Sequence, residues 1–343
     1  MVIKAAVTGW GSFSPEKILT NQELETLVAT SDAWIRSRTG IRERHVAGKD
    51  DTTASMGLIA AQAALRGAEL MPSDIDLIIC ATTTPDYLLP SSACLIQQRL
   101  GADRAGAFDL NAACCGFLYG LTVGNQFIQA GTYRRVLVIA AEALSRFMNW
   151  RDRNTCVLFG DGAAAVVLEA TSQSAGVLGT VLGSRGDVEG LLTIEAGGSA
   201  KPATEATVAA GDHCVRMHGN EIFKLAVRMM AQASHEALLK AKLSLRDIDA
   251  ILPHQANSRI IAATQEALGV ENDKVYSNVD RHGNTGAASV ALALTEFASG
   301  KSPRVGDNLL LVAFGGGLTW GAAVLRWADI AAIKRERLHK MSA

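Results

Sequence analysis

Ala64-Leu65-Arg66-Gly67-Ala68-Glu69-Leu70-Met71-Pro72-Ser73-Asp74-Ile75-Asp76-Leu77-Ile78 is repeated as Ala237-Leu238-Leu239-Lys240-Ala241-Lys242-Leu243-Ser244-Leu245-Arg246-Asp247-Ile248-Asp249-Ala250-Ile251. Eight of the fifteen positions are identical without a gap, at an offset of 173 residues. Each copy reads as the end of a helix, a polar turn and a strand. The likeness continues, with small shifts, from 97–101 to 265–269 and from 134–138 to 307–311. An offset near half of the 343 residues means duplication of a whole domain rather than a short solenoid repeat. The expected halves are 1–175 and 176–343, meeting in Thr171-Ser172-Gln173-Ser174-Ala175-Gly176, with a short charged tail after about residue 328.

Composition agrees with two packed halves. A chain of this length should bury roughly three quarters of its unfolded surface. Hydrophobic residues at 48 %, 32 glycines and only 5 % aromatics describe a tightly packed α/β protein. Apolar runs at 77–81, 136–140 and 308–313 alternate with amphipathic helical stretches. Continuous apolar strands covered on both faces imply a mostly parallel sheet between helix layers. Two such halves stacked together give a layered α/β/α/β/α sandwich.

A net charge of −1 argues against a nucleic-acid binder, so an acidic partner has to be met by a local basic patch. The six cysteines are scattered without C-x-x-C spacing, which argues against a zinc site or a disulfide framework. Lys4-Ala5-Ala6-Val7-Thr8-Gly9 lacks the apolar core of a signal peptide, and no apolar stretch reaches membrane-spanning length. A soluble cytoplasmic protein is expected.

Chemistry concentrates in four segments. In Ala107-Phe108-Asp109-Leu110-Asn111-Ala112-Ala113-Cys114-Cys115-Gly116-Phe117 an apolar run ends at a cysteine, and a helix-like segment, 116–131, follows directly. Helix-start amides and the positive end of the dipole favour thiolate there. Pro253-His254-Gln255-Ala256-Asn257, Arg281-His282-Gly283-Asn284-Thr285-Gly286 and Phe314-Gly315-Gly316-Gly317 add a histidine, an amide and a tight glycine turn. These parts suit thioester chemistry. Spacing alone does not choose between Cys114 and Cys115.

Across 7–326 the chain resembles the thiolase superfamily, and within it the β-ketoacyl-acyl carrier protein synthase III family. The resemblance rests on Thr30-Ser31-Asp32-Ala33-Trp34-Ile35 with Arg38-Thr39-Gly40-Ile41, on Ala113-Cys114-Cys115-Gly116-Phe117, on Phe159-Gly160-Asp161-Gly162-Ala163, and on the segments around 253–257, 280–285 and 314–320. It implies a decarboxylating Claisen condensation of an acyl-CoA starter with malonyl-acyl carrier protein. Cys114 would take the acyl group, His254 and Asn284 would be the other catalytic residues, and the amides of Cys114 and Gly316 would form an oxyanion hole. Trp34 and Arg153 would sandwich the adenine of CoA, with Arg38, Asn220, Phe223, Asn257 and Arg259 along the pantetheine path. Lys224 and Arg259 would meet an acidic acyl carrier protein. Neither a metal nor an organic cofactor is implied, acyl-CoA being a substrate, and a homodimer is expected.

Departures from the family pattern narrow these expectations. Leu89 stands where many relatives carry a bulky aromatic that closes the partner's acyl pocket, which implies room for starters longer than acetyl. Glu266-Ala267 replaces a basic pair near the docking surface, and Asn154 follows Arg153 where glycine is common. The tail Lys334-Arg335-Glu336-Arg337 reads as a solvated helix or a frayed terminus. Alternatives are a pathway-specific homologue with an unusual starter or acceptor, a cysteine hydrolase, and a non-catalytic scaffold. The duplicated fold and the glycine turn weigh against the hydrolase, and retention of Cys114, His254 and Asn284 against the scaffold.

Overall fold

The computed structural model describes residues 3–342; positions 1, 2 and 343, the outer ends of the two expected halves, lie outside the described residues. Its main strands are β1 (Lys4–Phe13), β2 (Leu77–Ala81), β3 (Gly106–Leu110), β4 (Arg135–Glu142), β5 (Gly162–Thr171), β6 (Gly176–Ser184), β7 (Ala250–Pro253), β8 (Asn308–Gly315) and β9 (Thr319–Arg326). Its main helices are α1 (Thr53–Ala68), α2 (Ser92–Leu100), α3 (Gly116–Gln129), α4 (Gly219–Ala241), α5 (Ser258–Leu268), α6 (Ala288–Gly300) and α7 (Ile330–Ser342). The first sheet runs β1-β5-β4-β2-β3 and the second β6-β9-β8-β7. Where β3 would have its counterpart, the second sheet has a single parallel bridge from Ile251 to Val275. The chain passes from one sheet to the other between Thr171 and Gly176.

The repeated stretch folds the same way twice. Helices α1 and α4 both end on a non-glycine residue in the left-handed conformation, Glu69 at φ 56° and Lys242 at φ 58°. A 3-10 turn and a strand follow in each copy. The shared aspartates explain their own identity: Asp74 and Asp247 each accept a backbone N–H three residues back, from Met71 and Ser244. Asp76 and Asp249 accept N–H groups from the neighbouring strands at Arg135 and Asn308, which are also 173 residues apart.

Alternation along the strands sorts side chains into layers. On β2, Ile78 and Cys80 face α1 and α2, while Leu77, Ile79 and Ala81 face the central layer of α3 and α6. On β8, Leu310 and Val312 face α4 and α5, while Leu309, Leu311 and Ala313 share that central layer. The result is the five-layered α/β/α/β/α sandwich.

The sheets are mixed rather than mostly parallel. Only β4–β2, β2–β3 and β8–β7 are parallel, while β1–β5, β5–β4, β6–β9 and β9–β8 are antiparallel. An apolar run reports burial on both faces, not direction; between β8 and β9 the short turn at Gly316–Leu318 dictates a hairpin.

The tail is a helix that keeps Arg335 and Glu336 in solvent, as expected of a solvated helix, but docks Lys334 and Arg337 on the body of the protein. Helix α7 lies across the C-terminal end of α1, where Lys334 donates to the Gly67 carbonyl and the Glu69 carboxylate. Arg337 is buried, donating to the Ala68 and Glu69 carbonyls and to both oxygens of Glu169 at 3.0 and 3.1 Å. These cations satisfy carbonyls that a helix end leaves open. Removing one partner of a buried ion pair leaves an uncompensated charge, so Arg337→Ala should lower stability by about 3 kcal/mol. Urea unfolding checks this; a loss within about 0.5 kcal/mol, the range of ordinary surface changes, would show that the contact is unimportant.

Candidate active site

Strand β3 leads into a tight elbow. Ala113 adopts φ 45°, residues Ala113–Cys115 form a 3-10 turn, and α3 starts at Gly116 with no side-chain cap on its first amides. The elbow separates the adjacent thiols. Cys114 is 8 % exposed and opens onto cavities on two sides, whereas Cys115 is fully buried in the central layer. Gly315 lies so close that a Cβ on it would come within 2.7 Å of the Cys114 nitrogen, and the 315–317 turn therefore packs directly on the elbow. Burial pushes the Cys114 thiol up to about 12, helped by the negative charge of Glu142. Desolvation thus outweighs the helix start, and the resting group is a neutral thiol rather than the ready thiolate expected from its position.

His254 follows β7, where its backbone N–H donates to Val312 O at 2.8 Å. Its Nδ1 lies 2.5 Å from Ser289 Oγ, and burial pulls the ring down to about 4, so the imidazole is neutral. Asn284 is pinned by its N–H to Leu158 O at 2.8 Å and by its own carbonyl, which accepts from Gly160 N–H at 3.0 Å. Its Oδ1 accepts the Gly286 N–H at 3.0 Å, which leaves the Nδ2 group to donate into the cavity. His282 is elsewhere: Nε2 sits 2.5 Å from Glu296 Oε1 and the ring stacks on His45. Burial alone would raise the Glu296 carboxyl, but His282, Asn278 and Arg281 bring it down to about 2.

The first cavity, about 850 Å³, brings Cys114, His254 and Asn284 together with Gly315. Toward its mouth lie Trp34, Arg38, Asn220, Phe223, Asn257 and Arg259, and Lys224 beside them. The Arg259 guanidinium sits 5.6 Å from the Phe223 ring centre. Asn257 spends its Oδ1 capping α5 through Ile260 N–H. Arg153 is not on the wall; its guanidinium covers the Trp34 indole at 4.7 Å, and a flat base between the two would need this pair to open to about 7 Å.

The second cavity, about 620 Å³, lies on the other side of Cys114. Leu144, Phe147, Ile194 and Val215 make it apolar, and Gly316 and Gly317 border it. Tyr87 and Leu88 contribute to it, but Leu89, which is 87 % exposed, does not line the cavity of its own chain.

Several contributors carry no signal in the sequence pattern. Leu192, in a two-residue strand paired with Arg216–Met217, borders both cavities together with Phe159 and Cys114. Gln255 accepts from the N–H groups of Asn278 and Val279 and donates to Pro253 O, tying the His254 segment to the one that leads to Asn284. Glu142 ends an apolar strand and shows nothing of its role until the loops around it are placed. Among the described residues, no group of three or more His, Cys, Asp or Glu could hold a metal ion. No described helix is long and apolar enough to cross a membrane.

The crystal structure of 3-oxoacyl-[acyl-carrier-protein] synthase III from Aquifex aeolicus VF5 matches this one with a TM-score of 0.87 and 44 % identity, over 94 % of this chain and 100 % of that one. Fold and site together define a condensing enzyme of the thiolase fold, an acyltransferase. Residues 108–186 match the family model of 3-oxoacyl-[acyl-carrier-protein (ACP)] synthase III, and 238–327 match its C-terminal model. β-Ketoacyl-[acyl-carrier-protein] synthase III of Roseiflexus sp. is 52 % identical over 94 % of this chain and 98 % of its own length; that of Desulfitobacterium hafniense is 48 % identical over 95 % and 99 %. The chain belongs to the β-ketoacyl-acyl carrier protein synthase III family.

Proposed function

We propose that this enzyme loads an acyl group from acyl-CoA onto Cys114 and condenses it with malonyl-acyl carrier protein, starting fatty-acid synthesis in the cytoplasm. The meeting of two cavities at one buried thiol carries this reading: a cavity that bears Arg38, Lys224 and Arg259 holds His254 and Asn284, and a more apolar chamber shares Cys114 with it. The half 1–175 supplies the nucleophile and the half 176–343 the histidine and asparagine.

In the first step the Cys114 sulfur attacks the thioester carbonyl, the bond to the CoA sulfur breaks, and the Cys114 proton leaves on CoA. Because the resting thiol is neutral, this proton moves with the exchange. The tetrahedral oxyanion is held by the amides of Cys114 and Gly316. In the second step the malonyl C–C bond breaks, CO2 departs, and the electron pair passes to the thioester oxygen as an enolate. Neutral His254 donates from Nε2 while Ser289 donates to its Nδ1, and Asn284 donates from Nδ2. The carbanion attacks the acyl-Cys114 carbonyl, the thiolate leaves, and it takes a proton from water. Charge is stabilised throughout by amides and a neutral ring, so neither a metal nor an organic cofactor is needed.

Trp34 and Arg153 receive the adenine end of CoA, and Arg38, Asn220, Phe223, Asn257 and Arg259 guide the pantetheine. Lys224 and Arg259 meet the acidic carrier protein. The unpaired outer edge of β3, with Phe108 and Leu110 only partly buried beside exposed Tyr87, Leu88 and Leu89, favours a homodimer that covers this edge and brings Leu89 to the partner's acyl chamber. A leucine there, with the apolar chamber behind it, supports starters longer than acetyl, as in a pathway-specific homologue.

Intact-mass spectrometry after exposure to acetyl-, butyryl- and octanoyl-CoA, then to malonyl-acyl carrier protein, tests the reading, with light scattering on the same sample for the dimer. The expected result is one acyl adduct, discharged only by the malonyl thioester. Discharge by water at the same rate would identify a hydrolase instead.

A further inference from the structure

The segment 284–289 carries one donor of the second half-reaction and the side chain that holds the other. Asn284 opens it, and Ser289, which holds the His254 ring, closes it. What fixes this segment from below is Glu142, the last residue of β4, fully buried on the wall of the acyl chamber. Its carboxylate accepts from Ala287 N–H at 3.4 Å. From the opposite side it accepts Thr83 N–H at 3.0 Å and the hydroxyls of Thr83 at 2.9 Å, Thr84 at 2.6 Å and Thr82 at 3.4 Å. The Thr84 hydroxyl already accepts from Ala143 N–H, and Thr82 from Thr84 N–H, so their protons are free for the carboxylate.

Gly286 lies directly on this group. Its φ is 54°, and a Cβ there would meet Glu142 Cγ at 3.2 Å, Oε1 at 3.3 Å and Leu144 at 3.0 Å. The same residue's N–H holds Asn284 Oδ1. A continuous path therefore runs from the chamber wall through Glu142, Ala287 and Gly286 to the Asn284 amide.

We propose that Glu142 is a positioning residue for the condensation step: its ionised carboxylate locks the acyl-chamber segment 82–84 to the segment 284–289 and so aims the Asn284 amide and, through Ser289, the His254 ring. This rests on the roles given above to Asn284 and His254. A carboxylate is required because amides and hydroxyls point five donors at it, and a protonated acid would turn one acceptor oxygen into a donor. Burial pushes Glu142 up to about 7, against the pull of the Thr84 and Thr83 hydrogen bonds. The titratable groups facing it are the thiols of Cys114 and Cys80, the latter also sensing Asp86 and Asp109, and burial raises both thiols. As the pH falls through about 7 the carboxylate is protonated, so decarboxylation should decline on the acid side.

The test compares acyl loading, followed by intact mass, with CO2 release from malonyl-acyl carrier protein in Glu142→Gln, Asn284→Ala and the double variant. Misplacement by about 1 Å can cost on the order of 100-fold, so Glu142→Gln should slow CO2 release at least about tenfold more than loading. It should also lose the acid limb near pH 7, and Glu142→Asp should restore that limb. In the Asn284→Ala background the further loss from Glu142→Gln should be smaller than in the unaltered enzyme, because only the His254 part of the positioning remains to be lost; an undiminished loss would contradict positioning through Asn284. If Asn284→Ala loses decarboxylation and Glu142→Gln does not, or if Glu142→Gln slows both half-reactions equally, this proposal fails while the role of Asn284 stands. If Asn284→Ala keeps decarboxylation, the role of Asn284 fails, and a slow Glu142→Gln would then contradict positioning through it. Should Glu142→Gln not fold, Thr83→Val, which frees the carboxylate on one side, should show the same split with smaller amplitude; no split would overturn the proposal.

Discussion

Cys114→Ala is expected to abolish acyl loading, while Cys115→Ala keeps most of it. The two thiols are neighbours in sequence but not in environment: Cys114 borders both cavities, and Cys115 packs with Phe117 and Leu118 in the central layer. Cys115→Ala removes a small buried group and should cost stability by about 1 kcal/mol, the usual scale for a point change, rather than chemistry. Intact mass after incubation with acyl-CoA reads both variants. An adduct on Cys114→Ala that maps to Cys115 would overturn the assignment.

His254→Ala and Asn284→Ala should separate the half-reactions. Both groups are assigned to the malonyl thioester oxygen, so each variant should still acylate itself but lose decarboxylation by roughly 10²- to 10³-fold, the effect of removing one oxyanion donor. Because burial holds the His254 ring near 4, it stays a neutral donor from about pH 5 upward, and its contribution should not change with pH over that range. Labelled CO2 release against intact-mass loading measures the split. A folded variant that fails to load acyl groups would move its residue into the first half-reaction.

Much of the fold was legible because its signals are local. Asp74, Asp76, Asp247 and Asp249 each serve a turn or strand contact that a fifteen-residue window repeats in full. Strand direction was not legible, since an apolar run records what covers a strand and not which way its neighbour runs. The tail misled for a related reason: four charged residues read as solvated, but Lys334 and Arg337 neutralise the open carbonyls of α1 and the buried Glu169, more than 160 residues away in sequence.

By itself the sequence determined the duplication, the helix start behind the cysteines and the set of groups from which a thioester site could be built. Each depends on side-chain type at short spacing, where backbone periodicity and capping act. Only the tertiary structure decided which thiol meets the cavities, that burial rather than the helix start governs its protonation, and that Leu89 does not line the chamber of its own chain. It alone also revealed Glu142, whose donors come from residues 58–60 and 145 positions away. Desolvation and the convergence of distant loops are properties of the packed layers, and no local window of the chain contains them.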